Sequence, residues 1–325
     1  MLRIRHITIV IISVMSLSAF AQQEPQITHF MFNQLSFNPG YAGVREAICS
    51  NVLARQQWVG FTEGDDKVFP QTNIFSVDAP INRINSGVGL MFMTDKLGFE
   101  ENLQVRLNYS YKFNIGMGRM SVGASAGFLN KTIDFSKYKP IDPDPLLVSQ
   151  GKESDMLLDF AVGAYYHVTD MFYVGISSSQ LSEDDFQGTM SEVPYKLRRH
   201  YYLTGGYYYN LPNPSWVINP NLLVKSDLGS TQVDINVLGI YNNKLWGGVS
   251  YRPNDAVCIL VGGYPIDQGS LSDLRIGYSY DVTTSALGRG GRSGGSHEVF
   301  ASYCFKIVIP KIPQSHSNVR YLPTL

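Results

Sequence analysis

A chain of 325 residues can hold one large domain or two small ones, but only 16% of these residues are charged, against roughly 25% in ordinary soluble domains, while Gly (30) and Tyr (20) are abundant. The formal net charge is -1, and loss of a leader carrying two Arg and no acid takes it to about -3, so nucleic acid is not an expected partner. The three Cys (Cys49, Cys258 and Cys304) form no CxxC pair and no disulfide framework, and the simplest expectation is three small buried thiols.

Residues 1–21 read as a secretory signal: Arg3, Arg5 and His6, an uncharged run over 7–20, and a small-x-small site at Ala19-Phe20-Ala21, so the mature chain is expected to begin at Gln22. The uncharged run is shorter than the roughly 18 apolar residues a membrane-spanning helix needs. No Cys stands beside the cleavage site, which argues against a lipoprotein, and no later segment reads as a transmembrane helix. Residues 22–45 are not strand-like. Met31-Phe32-Asn33-Gln34 and Asn38-Pro39-Gly40-Tyr41-Ala42-Gly43 mix aromatics with Pro and Gly, which break regular elements. This segment is expected on the periplasmic side or folded into a lumen, as a plug or a partner-binding surface.

From Glu46 the texture changes to about fourteen short alternating segments, at 46–57, 70–80, 86–94, 101–113, 119–130, 156–168, 171–180, 199–209, 215–225, 230–241, 244–252, 255–264, 272–282 and 297–307. The clearest is 103–114, where Leu103, Val105, Leu107, Tyr109, Tyr111 and Phe113 alternate without error with Gln104, Arg106, Asn108, Ser110, Lys112 and Asn114. A period of two puts the apolar set on one face of a strand. A soluble sheet with one wet side gives this pattern, and so does a membrane barrel with lipid outside and water inside.

The connections discriminate between the two. The even-numbered ones are short (81–85, 114–118, 169–170, 210–214, 242–243 and 265–271), and the longest (58–69, 131–155, 181–198 and 283–296) are all odd-numbered. Short periplasmic turns and long outer loops are the asymmetry of outer-membrane barrels. The expectation is therefore an all-β, transmembrane, antiparallel up-and-down β-barrel of about 14 strands over 46–309, with both ends of the chain on the short-turn side and a Pro-rich periplasmic tail over 310–325. Pro220 removes a ladder donor, which predicts a bulge or a broken strand in the ninth segment. The fifth segment (Ser121, Gly123, Ser125, Gly127) is low in bulk, and its lipid face is expected to be weak.

In such a barrel Arg55, Gln57, Arg106, Lys112, Asp234, Asp273 and Arg275 face inward together, either pairing to fill the lumen or lining a charged path. His297-Glu298 lacks the further ligands a metal site needs, and His29, His167, His200 and His316 have no ligand spacing. Asp65-Asp66, Asp142-Pro143-Asp144 and Glu183-Asp184-Asp185 could offer calcium oxygens but read better as solvated loop charge. Residues 288–295 lack the Lys-Ser/Thr ending of a phosphate loop and read as an outer loop. No nucleophile–base set is visible, so no enzyme, metal, cofactor or small-molecule substrate is expected. Closing a barrel pairs its first and last strands, and Cys49 and Cys304 then share the luminal face near the periplasmic end. Bridging of the two is a hypothesis that a Cα separation well beyond 7 Å would rule out.

Residues 26–43 (QITHFMFNQLSFNPGYAG), followed by Arg55-Gln56-Gln57-Trp58, resemble the start of the PorP/SprF family of outer-membrane proteins of the Bacteroidetes type IX secretion system. The resemblance returns in Gly248-Val249-Ser250-Tyr251-Arg252, Gly277-Tyr278-Ser279-Tyr280-Asp281 and Ser296-His297-Glu298, and closes with Ser302-Tyr303-Cys304-Phe305. Gln34 and Gly40 depart from the family's usual residues. The resemblance implies a non-enzymatic barrel of the secretion and gliding apparatus, an anchor or adaptor in the lipid bilayer for periplasmic ring and peptidoglycan-binding components and for secreted or surface adhesin cargo. Its motif marks Asn33, Asn38, Pro39, Tyr41, Gly43, Gln57 and Trp58 as partner-binding candidates. The rivals are a general diffusion porin, an outer-membrane hydrolase and a soluble secreted β-sandwich.

Overall fold

A computed structural model describes residues 24–63, 66–138, 151–186, 196–266, 273–285, 288 and 293–305. Each of the expected segments is a strand there: β1 (Ile48–Gln56), β2 (Gln71–Ile81), β3 (Ser86–Leu97), β4 (Glu100–Ile115), β5 (Gly118–Asp134), β6 (Lys152–Val168), β7 (Phe172–Ser179), β8 (His200–Tyr207), β9 (Trp216–Ser226), β10 (Thr231–Tyr241), β11 (Leu245–Arg252), β12 (Ala256–Gly263), β13 (Leu274–Thr283) and β14 (Ser296–Phe305). Neighbours in sequence pair antiparallel throughout, and β14 returns to β1 in a register running from Ile48↔Phe305 to Gln56↔His297, so the sheet closes. The expected signal sequence, the expected tail over 310–325 and the acidic group at 142–144 lie outside the described residues.

Burial follows the alternation in the order that suits lipid. On β4, Leu107 is 62% exposed and Tyr109, Tyr111 and Phe113 are exposed with it, whereas Gln104, Arg106, Asn108, Ser110 and Lys112 are buried. A soluble sandwich puts the oily face inward; here it faces out all around the wall, as on Val249, Tyr251, Ile259, Val261, Ile276 and Val299. Among the described residues no helix is long and apolar enough to cross a membrane.

The long connections sit at one end. Residues 57–70, 135–151, 180–199 and 284–295 join odd-numbered strands to even ones, while turns such as Gly116-Met117 occupy the other end. β5 and β6 are each 17 residues, beyond the roughly 9–11 that cross a bilayer, and their excess lies at the long-loop end. There Leu129, Ile133, Phe135, Leu157, Phe186 and Leu197 form a small apolar cluster of their own.

Two expectations change. Pro220 does not bulge β9, whose pairing to β10 runs unbroken through Pro220↔Val237. The gap falls on the other side. Regular pairing with β8 stops at Gly206↔Asn221 and resumes only at Tyr209↔Ile218, because Pro220 has no N–H to give. The Asn219 side chain covers part of the loss, its Nδ2 donating to Tyr207 O at 2.9 Å. The low bulk of β5 is likewise not a weak lipid face. Ser121 and Ser125 are buried in the lumen, and a Cβ on Gly123 would stand 2.6 Å from Gly40 N. β5 is small where another piece of chain needs the room.

Candidate functional site

That piece is the N-terminal segment. Residues 24–47 run through the lumen along the barrel axis, with three single turns of 3-10 helix at Phe30–Phe32, Gln34–Ser36 and Pro39–Tyr41. The segment joins β1 at the short-turn end, but Glu24 lies at the opposite end, bonded to Gln180 beside the long connection 180–199. This differs from the expectation that keeps the N-terminal side of the mature chain at the short-turn rim.

The outer part is held by charge. Glu298 accepts from Thr28 N (2.9 Å) and His29 N (2.7 Å), and pairs with His29 Nδ1 (2.7 Å) and Arg55 (3.3 Å). Arg55 also reaches Asp281 (2.7 Å) and the Thr28 hydroxyl (2.9 Å). Arg252 lies against Asp234 (2.7 Å) and Asp255 (2.9 Å). A second group surrounds Glu24: Arg106 (3.4 Å), Gln180 (3.1 Å) and the Tyr202 hydroxyl. Arg106 itself is seated on Asp159 at 2.5 Å. Buried charges persist only when paired, and these are. Arg55, Arg106 and Asp234 thus pair into a filled lumen instead of lining a path. Lys112 does the same near the other end, donating to Gly43 O (3.0 Å).

The middle part is apolar. Ile27, Phe30, Met31 and Phe37 pack against Leu53, Ile74, Met91, Tyr202, Leu223, Leu238 and Leu260 from the wall. Phe32 stacks on Phe300 (centroids 5.4 Å apart), and the Arg275 guanidinium lies 4.8 Å above the Phe32 ring.

The part nearest the short turns is held by backbone fit. Asn38 Nδ2 donates to Ala164 O (2.9 Å) while its Oδ1 accepts from Gly40 N (2.8 Å). Ser177, Ser121 and Ser110 donate to Phe37 O (2.7 Å), Gly40 O (2.6 Å) and Ala42 O (2.7 Å). Gly43, at φ +69°, gives its N–H to Asp78 (3.0 Å). A Cβ on Gly87 would come within 2.0 Å of Ala42 O, and one on Gly163 within 2.2 Å of the Asn38 side chain.

The motif residues therefore divide. Asn33, Asn38, Pro39, Tyr41 and Gly43 shape the plug: Asn33 links its first two turns, and Tyr41 packs edge-on against Tyr165 (5.2 Å). Gln57 and Trp58 lie at the far end, where Gln57 N donates to Pro70 O (2.9 Å) and Trp58 N to the Ser296 hydroxyl (3.1 Å). His297 and Glu298 point to opposite faces, His297 pairing with the Tyr278 hydroxyl at 2.7 Å on the outside. Glu183 and Asp185 pair with Arg199 and Lys196, both at 3.7 Å.

The expectation of three separate thiols is overturned for two of them. Cys49 and Cys304 are directly opposed across the β1–β14 seam, with Cα atoms 4.1 Å apart, and are disulfide-bonded; Cys258 is free and buried. Sequence reasoning missed Glu24, Thr28, His29, Arg252, Asp281 and Glu298 as a clasp. Two signals pointed to it. Three of the family fragments carry Arg252, Asp281 and Glu298, one each. The inward phase of several strands also holds apolar residues (Leu53, Ile74, Met91, Leu238 and Leu260), which a water-filled lumen would not want.

A closed sheet with an oily outer skin, a polar interior and long loops at one rim defines an outer-membrane β-barrel protein. Of two similar solved barrels, the first shares the fold. The Ralstonia pickettii toluene transporter TbuX is 9% identical with a TM-score of 0.50, over 82% of this chain and 92% of that one. The Acinetobacter baumannii outer membrane protein Omp33 is 9% identical with a TM-score of 0.44, over 80% and 99%. The sequence matches none of the curated proteins. The model of the type IX secretion system membrane protein PorP/SprF matches residues 19–303, and the chain belongs to that family. It is an outer-membrane component of type IX secretion whose surroundings are the lipid bilayer and the secretion machinery.

Proposed function

We propose that this barrel works by binding: a non-enzymatic anchor or adaptor that holds periplasmic machinery at its short-turn rim and cargo at its long loops. The observation that carries the reading is the plug. Residues 24–46 fill the lumen, fixed by paired charges, a packed apolar middle and wall glycines fitted to their backbone, which leaves the two rims as the working surfaces. The motif residues within the plug act by setting its shape, and Gln57 and Trp58 act at the loop rim. A diffusion porin, the second reading, needs water where Phe30, Met31 and Phe37 stand.

The test is a clean gene deletion assayed for type IX export and for uptake of small hydrophilic solutes. Loss of export with uptake unchanged supports the adaptor; loss of uptake with export intact overturns it in favour of the porin. Removing residues 22–45 is a poor probe, because the apolar wall residues would lose their partners and the barrel itself would suffer. Point substitutions are the better instrument.

A further inference from the structure

Resting on the adaptor reading, we propose that the recess at the short-turn mouth between β4 and β8 is the seat for an acidic, apolar-flanked peptide segment of a periplasmic partner protein. The recess measures about 690 Å³. Tyr41, Tyr165, Tyr173 and Tyr208 line it, so its walls are aromatic, and the plug contributes one of them.

Its hydrogen-bonding capacity is unfilled on one side. Glu46 is a single carboxylate answering two cations, Lys112 at 2.9 Å and Arg119 at 2.5 Å. Arg45 is shared with Asp78 at 2.7 Å. Beyond those pairs, three buried nitrogens of the lining have no hydrogen-bond partner among the described residues: Arg45 Nε, Arg119 Nε and His167 Nδ1. Arg119 and His167 are directly opposed across the β5–β6 pair, so two of these nitrogens belong to one spot of the wall. The other carboxylate of the lining, Asp170, sits on the adjoining turn. The two guanidinium Nε–H groups are donors that are costly to leave without acceptors, and an incoming carboxylate satisfies them and shares Lys112 and Arg119 with Glu46.

The rim supplies the apolar part. Three successive turns each present a large oily side chain: Ile84 between β2 and β3, Met117 between β4 and β5 (74% exposed), and Met171 between β6 and β7. On another arc of the same rim the β10–β11 turn is Asn242-Asn243-Lys244, polar throughout. Turns at this end meet the periplasm and the headgroup boundary. An apolar arc of three turn tips on the side that carries the recess marks a protein-docking surface.

The experiment places the photocrosslinker p-benzoylphenylalanine at Met117 or at Asn243 in living cells and maps the crosslinked products by mass spectrometry. The expected result is a protein crosslink at 117 and not at 243, joined through an acidic peptide. Arg119→Glu should weaken it by about tenfold or more, since opposing like charges costs more than 1.4 kcal/mol, while Arg119→Lys should restore it. Heat-modifiable gel mobility verifies that each barrel is folded, and Arg119→Gln replaces the reversal if the latter is not. Crosslinks to lipid alone, equal crosslinking at 117 and 243, or indifference to the charge at 119 would overturn the proposal. If gene deletion stops export while the Arg119 variants change neither crosslink nor export, the recess is wrong and the adaptor stands. If deletion leaves export intact, the adaptor itself falls.

Discussion

The two ends of the lumen hold one plug by different physics. Toward the long loops the wall offers charges, and Thr28, His29 and Glu24 are gripped by carboxylates and guanidinium groups. Toward the short turns the wall offers glycine and serine, and Asn38 to Gly43 are seated backbone against backbone. The β1–β14 seam repeats the contrast, with Arg55 facing Glu298 at its outer end and Cys49 bonded to Cys304 at its inner end. A charged clasp depends on every member being paired, whereas a steric seat depends on the absence of side-chain volume. The first fails when an atom is removed, the second when one is added.

That contrast can be broken most forcefully at Glu298. Glu298→Ala leaves Arg55 only the Asp281 carboxylate, takes the carboxylate from His29 and orphans two buried backbone amides, and removing one partner of a buried charge network costs about 3–5 kcal/mol. Thermal unfolding in detergent should show the largest drop of any single variant here; a drop no larger than that of a seat variant would mean that the clasp is decorative. Next is the seam. Cys49→Ser, or reductant on the native protein, should cost about 2–4 kcal/mol, read in the same assay, with the gel mobility of the folded barrel becoming sensitive to reductant at lower temperature. A reductant-insensitive unfolding profile would show the bond to be redundant with the ladder beside it.

Gly87→Ala tests the seat by adding a single carbon where Ala42 O already stands, at about 1–3 kcal/mol for overpacking. Its control is Gly247→Ala, where the nearest atom to a new Cβ is 3.7 Å away and the change should be close to neutral. Equal effects at both positions would dissolve the seat as a special feature.

The smallest effect belongs to Asp227, a charge outside the clasp in the turn 227–230. Partial desolvation pushes its carboxyl up, but the amides of Ser230 (2.7 Å) and Gly229 (3.0 Å) outweigh this and hold it below the usual carboxylate range. A depressed folded value means that the turn's extra stability is present above the unfolded pKa of about 3.9 and is lost as pH falls through the folded one. Amide protection at residues 229–230, taken relative to the intrinsic exchange rate at each pH, should therefore fall below about pH 4 in the native chain. In Asp227→Asn it should show no such step.

Much of this was legible in one dimension. A twelve-residue alternation such as 103–114 has no other economical explanation than a two-faced strand, and the grouping of long loops at odd connections separated a membrane barrel from a soluble sheet. The strand ends were less legible: β5 and β6 continue past the bilayer because Leu129, Ile133 and Leu157 find apolar partners in the loops, which no local pattern reveals. Pro220 was read correctly as a missing donor and wrongly as a distortion, since the lost bond fell to whichever neighbour lay on that side.

The sequence by itself determined the strand number, the face each strand turns to lipid and the end at which its loops gather, because all three depend on period and spacing along the chain. Only the tertiary structure decided what fills the barrel. The bond between Thr28 and Glu298 joins residues 270 positions apart, and the pairing of Cys49 with Cys304 spans 255. Such contacts exist only once the sheet has closed and brought its two ends side by side. The plug's depth, its clasp and the recess it leaves at the periplasmic mouth are properties of that closure.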